Sequence, residues 1–121
     1  MKSIEWAAGL FEGEGSISHT IANGKQYPRL SLGMCDKDIV EDFARVVGYG
    51  NVTGPRQQKA DWSPRYDWQI CKRSEIKRIL ELFMPYLGLR RGYKALNCLD
   101  DIDNHLFLKG KNYGQRLVSE R

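Results

Sequence analysis

The sequence predicts an α+β domain, a four-stranded antiparallel sheet with helices covering its apolar face. Three observations carry this expectation. Two pairs of stretches alternate apolar and polar residues and are joined by turn-forming or polar segments, as hairpins are. Between and after them, apolar residues recur every three or four positions, as in amphipathic helices. The length, 121 residues, is that of one domain, so the four strands are expected to share one sheet.

The elements follow in order. Residues 3–13 read as a short helix with Ser3 as N-cap, Glu5 in the first turn, and Gly13 and Gly15 as the stop. Residues 16–21 alternate, with Ile17 and Ile21 on one face and Ser16, Ser18 and Thr20 on the other. Asn23-Gly24 is a turn dipeptide, and residues 29–34 direct Leu30, Leu32 and Met34 inward. Residues 36–47 carry a helical stripe at positions 39, 40, 43, 46 and 47, ended by Gly48 and Gly50. A second hairpin joins 51–55 to 65–71 through a polar loop, with Tyr66, Trp68 and Ile70 alternating against Arg65, Asp67, Gln69 and Cys71. Residues 74–84 place Ile76, Ile79, Leu80 and Phe83 on one stripe before Pro85. A last helix over 92–104 carries Ala95, Leu96, Leu99 and Ile102. The expected division is a domain over 1–104 and a basic, partly frayed tail over 105–121.

Composition narrows the functional classes. With 41% hydrophobic and 28% charged residues the chain can build a core and is not a disordered tail. No apolar run approaches the ~20 residues of a membrane span, and no basic-then-apolar leader opens the sequence, so neither a membrane partner nor secretion is expected. Cys35, Cys71 and Cys98 are odd in number and widely spaced, which argues against a disulfide framework and for a reduced, intracellular setting. There is no C-x-x-C, and the histidines are His19 and His105 alone. A carboxylate-held hard ion such as Mg²⁺ is therefore expected before zinc. The net charge of +4 permits a polyanion partner without requiring one.

The polar face of the expected sheet presents Ser16, Ser18, Thr20, Arg29, Ser31, Asn51, Thr53, Arg65, Asp67 and Gln69, with Lys25, Arg56, Gln57, Gln58 and Lys59 in the loops. These residue types hydrogen-bond to base edges and phosphates. Asp67 has a second use, an ion pair with Arg65 or Arg29. Any half-buried sheet has a solvated polar face, so the pattern alone leaves both readings open.

The sharpest local feature is Ala7-Ala8-Gly9-Leu10-Phe11-Glu12-Gly13-Glu14-Gly15. Glu12 and Glu14 stand at a helix C-terminus, where the macrodipole disfavours negative charge by up to ~1 kcal/mol, so a compensating cation is expected nearby. Ala8, Gly9 and Gly13 are small, and each glycine inside a helix costs ~1 kcal/mol relative to alanine. Close helix approach through bare backbone is the usual return. A glycine-capped helix with two solvated glutamates is the ordinary alternative.

This segment resembles the nine-residue signature of the LAGLIDADG homing endonucleases, with Glu at both acidic positions. The order helix, hairpin, helix, hairpin, helices over about 3–104 is similar to that family's αββαββα unit. So is the stretch Trp68-Gln69-Ile70-Cys71-Lys72-Arg73 leading through Ile76, Leu80 and Pro85-Tyr86-Leu87 to Lys94. The resemblance implies helices on one face of the sheet and a DNA-binding saddle on the other. It further implies a site-specific endonuclease (a meganuclease, serving intron or intein mobility) that hydrolyses phosphodiester bonds of double-stranded DNA at a long pseudo-palindromic site. A single motif in a chain this short implies a homodimer. The expected location is cytoplasmic or nucleoid-associated, or in an organelle or phage-infected cell, and no small-molecule substrate is expected.

Residue by residue, the resemblance puts Ala8, Gly9 and Gly13 at the dimer contact, with Glu12 touching either the partner subunit or a helix end. Glu14, joined by the carbonyl of Gly15, holds Mg²⁺ near the scissile phosphate, and Mn²⁺ or Ca²⁺ substitutes for binding. Asp36 occupies the place of a water-orienting polar residue, or caps the second helix. Lys72, or Arg73 in its stead, steadies transition-state charge, or contacts a phosphate. DNA contacts fall to Ser16, Ser18, Thr20, Lys25, Arg29, Ser31, Arg56, Gln57, Lys59, Arg65, Asp67 and Gln69. The competing expectation is a nuclease-inactive DNA- or RNA-binding protein, a maturase or transcription regulator, on the same fold.

Overall fold

Ser3 opens the first helix as its composition predicts, its hydroxyl accepting the Trp6 N–H at 3.1 Å. In the computed structural model, which describes residues 2–57, 59–61 and 63–109, the chain then runs α1 (Ile4–Glu14), β1 (Gly15–Ala22), β2 (Lys25–Met34), α2 (Lys37–Val47), β3 (Asn51–Arg56), β4 (Arg65–Ile70), α3 (Arg73–Phe83), a 3₁₀ turn (Met84–Tyr86) and α4 (Leu89–Lys109). The four strands form one antiparallel sheet in the order β1-β2-β4-β3. This is the expected α+β architecture. No described helix is long and apolar enough to cross a membrane.

Period-2 alternation decides which face each strand buries. Ile17, Leu30, Leu32, Trp68 and Ile70 point into the helix layer and are buried. Four aromatic rings join the helices to the sheet. Phe11 of α1 meets Phe83 of α3 at 5.5 Å between centroids, and Phe43 of α2 meets Trp68 of β4 edge-on at 4.8 Å. The Trp68 indole N–H donates to the Tyr49 carbonyl at 2.8 Å, which removes the cost of burying it. Gly50 leaves room for that indole: a Cβ there would stand 2.3 Å from Nε1, and its φ of +94° suits glycine.

The structure departs from the sequence reading at several points. Helix α1 does not stop at Gly13 but runs through Glu14. It ends at Gly15, whose extended backbone sends its N–H to the Phe11 carbonyl. The first hairpin is longer than expected, with β2 beginning at Lys25 directly after a turn in which Asn23 and Gly24 both take positive φ. Ile21 keeps its inward parity yet is 71% exposed, because β1 runs out beyond the helix layer. Leu96, expected in the core, is 49% exposed; α4 instead buries Ala95, Cys98 and Ile102. That helix also begins before residue 92 and runs past residue 104, while residues 110–121 of the expected tail lie outside the described residues.

Gly15 is glycine for a steric reason. A Cβ built there falls 2.2 Å from the Phe11 ring, so strand β1 can start directly beneath the last turn of α1 only on bare backbone. Gly15→Ala is expected to cost about 1–3 kcal/mol by overpacking, read as a fall in the urea midpoint at unchanged slope. The thiols give a second check. Burial, reinforced by the Asp101 charge, pushes the Cys98 thiol up to about 11, whereas Cys35 and Cys71 are exposed. At pH 8 an alkylating reagent should therefore label Cys35 and Cys71 in the folded protein and reach Cys98 only on unfolding. Intact mass after labelling decides it, and rapid addition of a third label to folded protein would refute the burial of α4.

Candidate nucleic-acid interface

Antiparallel register assembles the polar residues of four strands into rows. Ser16 faces Ser31, Ser31 faces Gln69, and Gln69 faces Asn51, a polar row that crosses the whole sheet. On one side of it Ser18 pairs with Arg29 and Thr20 with Tyr27; on the other, Gly33 and Thr53 flank Asp67. Arg29 donates to the Gln69 side-chain oxygen at 3.5 Å. Asp67 accepts from Arg56 and Arg65, so its expected pairing with Arg65 holds and Arg56 takes the place of Arg29 as the other partner. Gln57 turns into its own loop, donating to the Ala60 carbonyl at 3.0 Å, and Lys59 is exposed on that loop. Lys25 pairs with Ala22 at the hairpin end, and Gln58 lies outside the described residues.

The end of α1 adjoins this face. Glu14 is the last helical residue and is exposed, and Gly15 pairs with Leu32 as β1 begins. Asp36 lies off the same end of the sheet, two residues past Met34, which pairs with Tyr66. Its carbonyl receives the Ile39 and Val40 N–H groups, so by backbone it is the N-cap of α2, yet its exposed carboxylate makes no capping hydrogen bond. Lys72 and Arg73 go the other way. Trp68 stands level with Gly15 through Leu32, and β4 then runs away from Glu14, so Lys72 sits on the order of 10 Å further along the strand direction. Arg73 stacks over the Tyr27 ring at 5.0 Å, and Lys72 helps line a hollow of about 480 Å³ with Arg29, Asn51, Gln69 and Glu75. Within one subunit these two cations are not brought to Glu14.

The small residues of the motif divide. Ala8 is fully buried in its own core, so it is not available to a partner subunit. Gly9 and Gly13 are exposed, and among the described residues nothing lies within 4 Å of where their Cβ atoms would be. Of the two roles left open for Glu12, the structure shows the helix-end contact: its carboxylate accepts the Gly88 N–H at 2.9 Å, at the start of α4. The cation that the acidic helix end calls for is Arg91, whose Nε donates to the Glu12 carbonyl at 2.6 Å. Sequence reasoning missed Arg91 and Gly88. The dipole argument demands a cation without saying which of 19 supplies it. Among the described residues no group of three or more His, Cys, Asp or Glu side chains gathers to hold a metal.

No protein-family model and no curated protein matches the sequence. Solved structures do match. The homing endonuclease I-CvuI, in complex with the I-CreI target DNA, superposes with a TM-score of 0.68 at 20% identity over 83% of this chain and 65% of its own. The group I intron-encoded homing endonuclease I-CeuI, complexed with DNA, gives 0.71 at 14% identity, over 97% of this chain and 61% of its own. The LAGLIDADG meganuclease I-CpaMI, bound to uncleaved DNA, gives 0.69 at 19% identity over 89% of this chain and 39% of its own. This chain thus spans just under two thirds of the length of I-CvuI and well under half of I-CpaMI. Strand order, helix placement and superposition agree: the chain carries the fold of the LAGLIDADG homing endonucleases.

Proposed function

We infer that the chain is one half of a homodimeric, divalent-metal-dependent endonuclease that cuts double-stranded DNA at a long pseudo-palindromic site inside the cell, in the service of intron or intein mobility. The observation that carries this reading is the succession at the end of α1. An exposed glycine face, an exposed carboxylate and the polar face of the sheet follow one another over residues 9–16. Bare backbone at Gly9 and Gly13 admits the same helix of a second copy, and two-fold symmetry then doubles the sheet face.

Two Glu14 carboxylates near such an axis repel each other, and a divalent cation relieves that repulsion. The donors fit a hard ion: a carboxylate and the main-chain carbonyl of Gly15 suit Mg²⁺, with Mn²⁺ or Ca²⁺ as substitutes for binding. When bound, the ion supplies Lewis-acid stabilisation of phosphate charge and a more acidic water. The residues of this chain do the rest. Glu14, with the Gly15 carbonyl, would hold the ion. Asp36, its carboxylate unused in capping and at the same end of the sheet, orients the attacking water. Ser16, Ser18, Thr20, Arg29, Ser31 and Gln69 lie in the major groove. Lys72 and Arg73, kept from Glu14 by the register, contact backbone phosphates and make binding fall steeply with salt.

Glu14→Gln should lower cleavage of a randomised duplex library in Mg²⁺ by roughly a thousandfold while binding in Ca²⁺ is retained. Undiminished cutting would sink the assignment of Glu14, and a wild-type protein that binds duplex but never nicks it would favour the nuclease-inactive reading. The glycine face has its own test. Since their Cβ positions are open, Gly9→Ala and Gly13→Ala should raise the stability of the isolated subunit by up to ~1 kcal/mol. Bulkier Gly13→Leu should convert the dimer to a monomer in sedimentation without unfolding it. Removing the Glu12 carboxylate in Glu12→Ala is expected to cost about 1 kcal/mol, seen as a lower melting temperature, because the Gly88 N–H loses its acceptor.

A further inference from the structure

The end of the sheet that carries Glu14 also carries a cluster the mechanism above leaves unused. Asp67 Oδ2 accepts from Arg56 Nε and Nη2 at 3.1 and 3.0 Å, and its Oδ1 accepts from Arg65 Nε at 3.4 Å. Both carboxylate oxygens therefore face guanidinium groups. The carboxylate is the recessed member, with 23% of its side chain exposed against 53% for Arg56 and 43% for Arg65.

Across the ladder from Asp67 stands Gly33. A Cβ at that position would fall 2.4 Å from Asp67 Oδ1 and 2.5 and 2.7 Å from Arg65 Nη2 and Nε. Gly33 sits in the regular pairing of β2 with β4, where a side chain is normal, so its bare backbone is explained by the Arg65–Asp67 pair lying flat over it.

Resting on the DNA-cleaving reading, we propose that Asp67 is a positioning residue, not a base reader, and that it holds Arg65 over Gly33 and Arg56 beside it to read guanine in the part of each half-site nearest the scissile phosphates. Guanine offers two acceptors, N7 and O6, on its major-groove edge, and a planar guanidinium matches them with paired donors. A carboxylate bound along one edge of the guanidinium fixes its plane and reduces the freedom lost on binding. Position along the site follows from register. Gly33 and Asp67 are one step from Leu32, which pairs with Gly15, so the cluster is level with the head of β1. Arg29 and Gln69 serve base pairs further out.

The test is selection of bound sites from a randomised duplex library, with Ca²⁺ in place of Mg²⁺ so that selected sites survive intact. The wild-type protein should enrich guanine at symmetric inner positions. Asp67→Asn, which keeps the shape and removes the charge, should lose that preference roughly tenfold, while preferences at outer positions and the melting temperature stay put. Gly33→Ala should do the same by displacing Arg65, and Arg65→Ala by deleting it. An Asp67→Asn protein that still selects the inner guanine, or one that binds all sequences equally less well, would overturn the proposal. So would a wild-type site without guanine there. If the wild-type protein enriches no sequence at all, the DNA reading itself falls, a result distinct from an enriched site lacking the inner guanine.

Discussion

The Phe11 ring lying on the bare backbone of Gly15 is the contact on which the rest of the molecule depends. It sets where α1 ends and where β1 begins, with no intervening loop, and so it sets the position of Glu14 between them. The same ring faces inward to Phe83 and Phe43, and Phe43 reaches Trp68 of the sheet. The motif helix is thus locked from its inner side. Its inner face carries Ala7, Ala8 and Phe11, its outer face Gly9 and Gly13, and its end Glu14. One 11-residue helix serves as core element, candidate contact surface and carrier of the candidate metal ligand. Substitutions within it cannot be read as purely structural or purely functional.

Electrostatics braces the same joint. The C-terminus of α1 carries the negative end of its dipole together with two glutamates, an arrangement that is unfavourable in isolation. Arg91 meets the Glu12 carbonyl, while the Glu12 carboxylate meets the N–H at the head of α4, where the dipole is positive. Each helix end therefore receives its complement from the other element. Residues far apart in the chain, 12 with 88 and 91, become one unit.

The sheet divides its polar face along the strand direction. Near the head of β1 stand Glu14, Asp36 and the cluster of Arg56, Arg65 and Asp67; Gln69 is level with Ser16, and Arg29, Lys72 and Arg73 with Tyr27 stand further along. The carboxylates at the end of the motif helix are thereby separated from the cations Lys72 and Arg73. Arg56 reaches Asp67 through the register shift between Thr53 and Arg56, an irregularity of β3 that lets a residue at the strand's end pair with a side chain in mid-strand.

Local period and covalent adjacency make much of the layout legible before any packing is known. Alternation showed that Leu30, Leu32, Trp68 and Ile70 face one way and Ser16, Ser31 and Gln69 the other, and Ser3 marked the start of α1. Glu14, Gly15 and Ser16 are consecutive, so their adjacency needed no fold to reveal it. Coverage and reach belong to the packed molecule. Period assigns a face but not what lies over it, so Ile21 keeps the inward parity of its strand and Leu96 lies on the expected stripe of its helix, and yet both stand exposed. Ala8 and Gly9 look alike as small residues, and packing alone sends one into the core and leaves the other bare. Charge in a sequence has no address. Lys72 and Arg73 lie at the wrong end of the sheet to meet Glu14 of their own subunit, while Arg91, with no distinguishing local pattern, reaches the end of the motif helix from the first turn of α4. Long-range contacts are settled by the whole core at once, and no window of neighbouring residues holds that information.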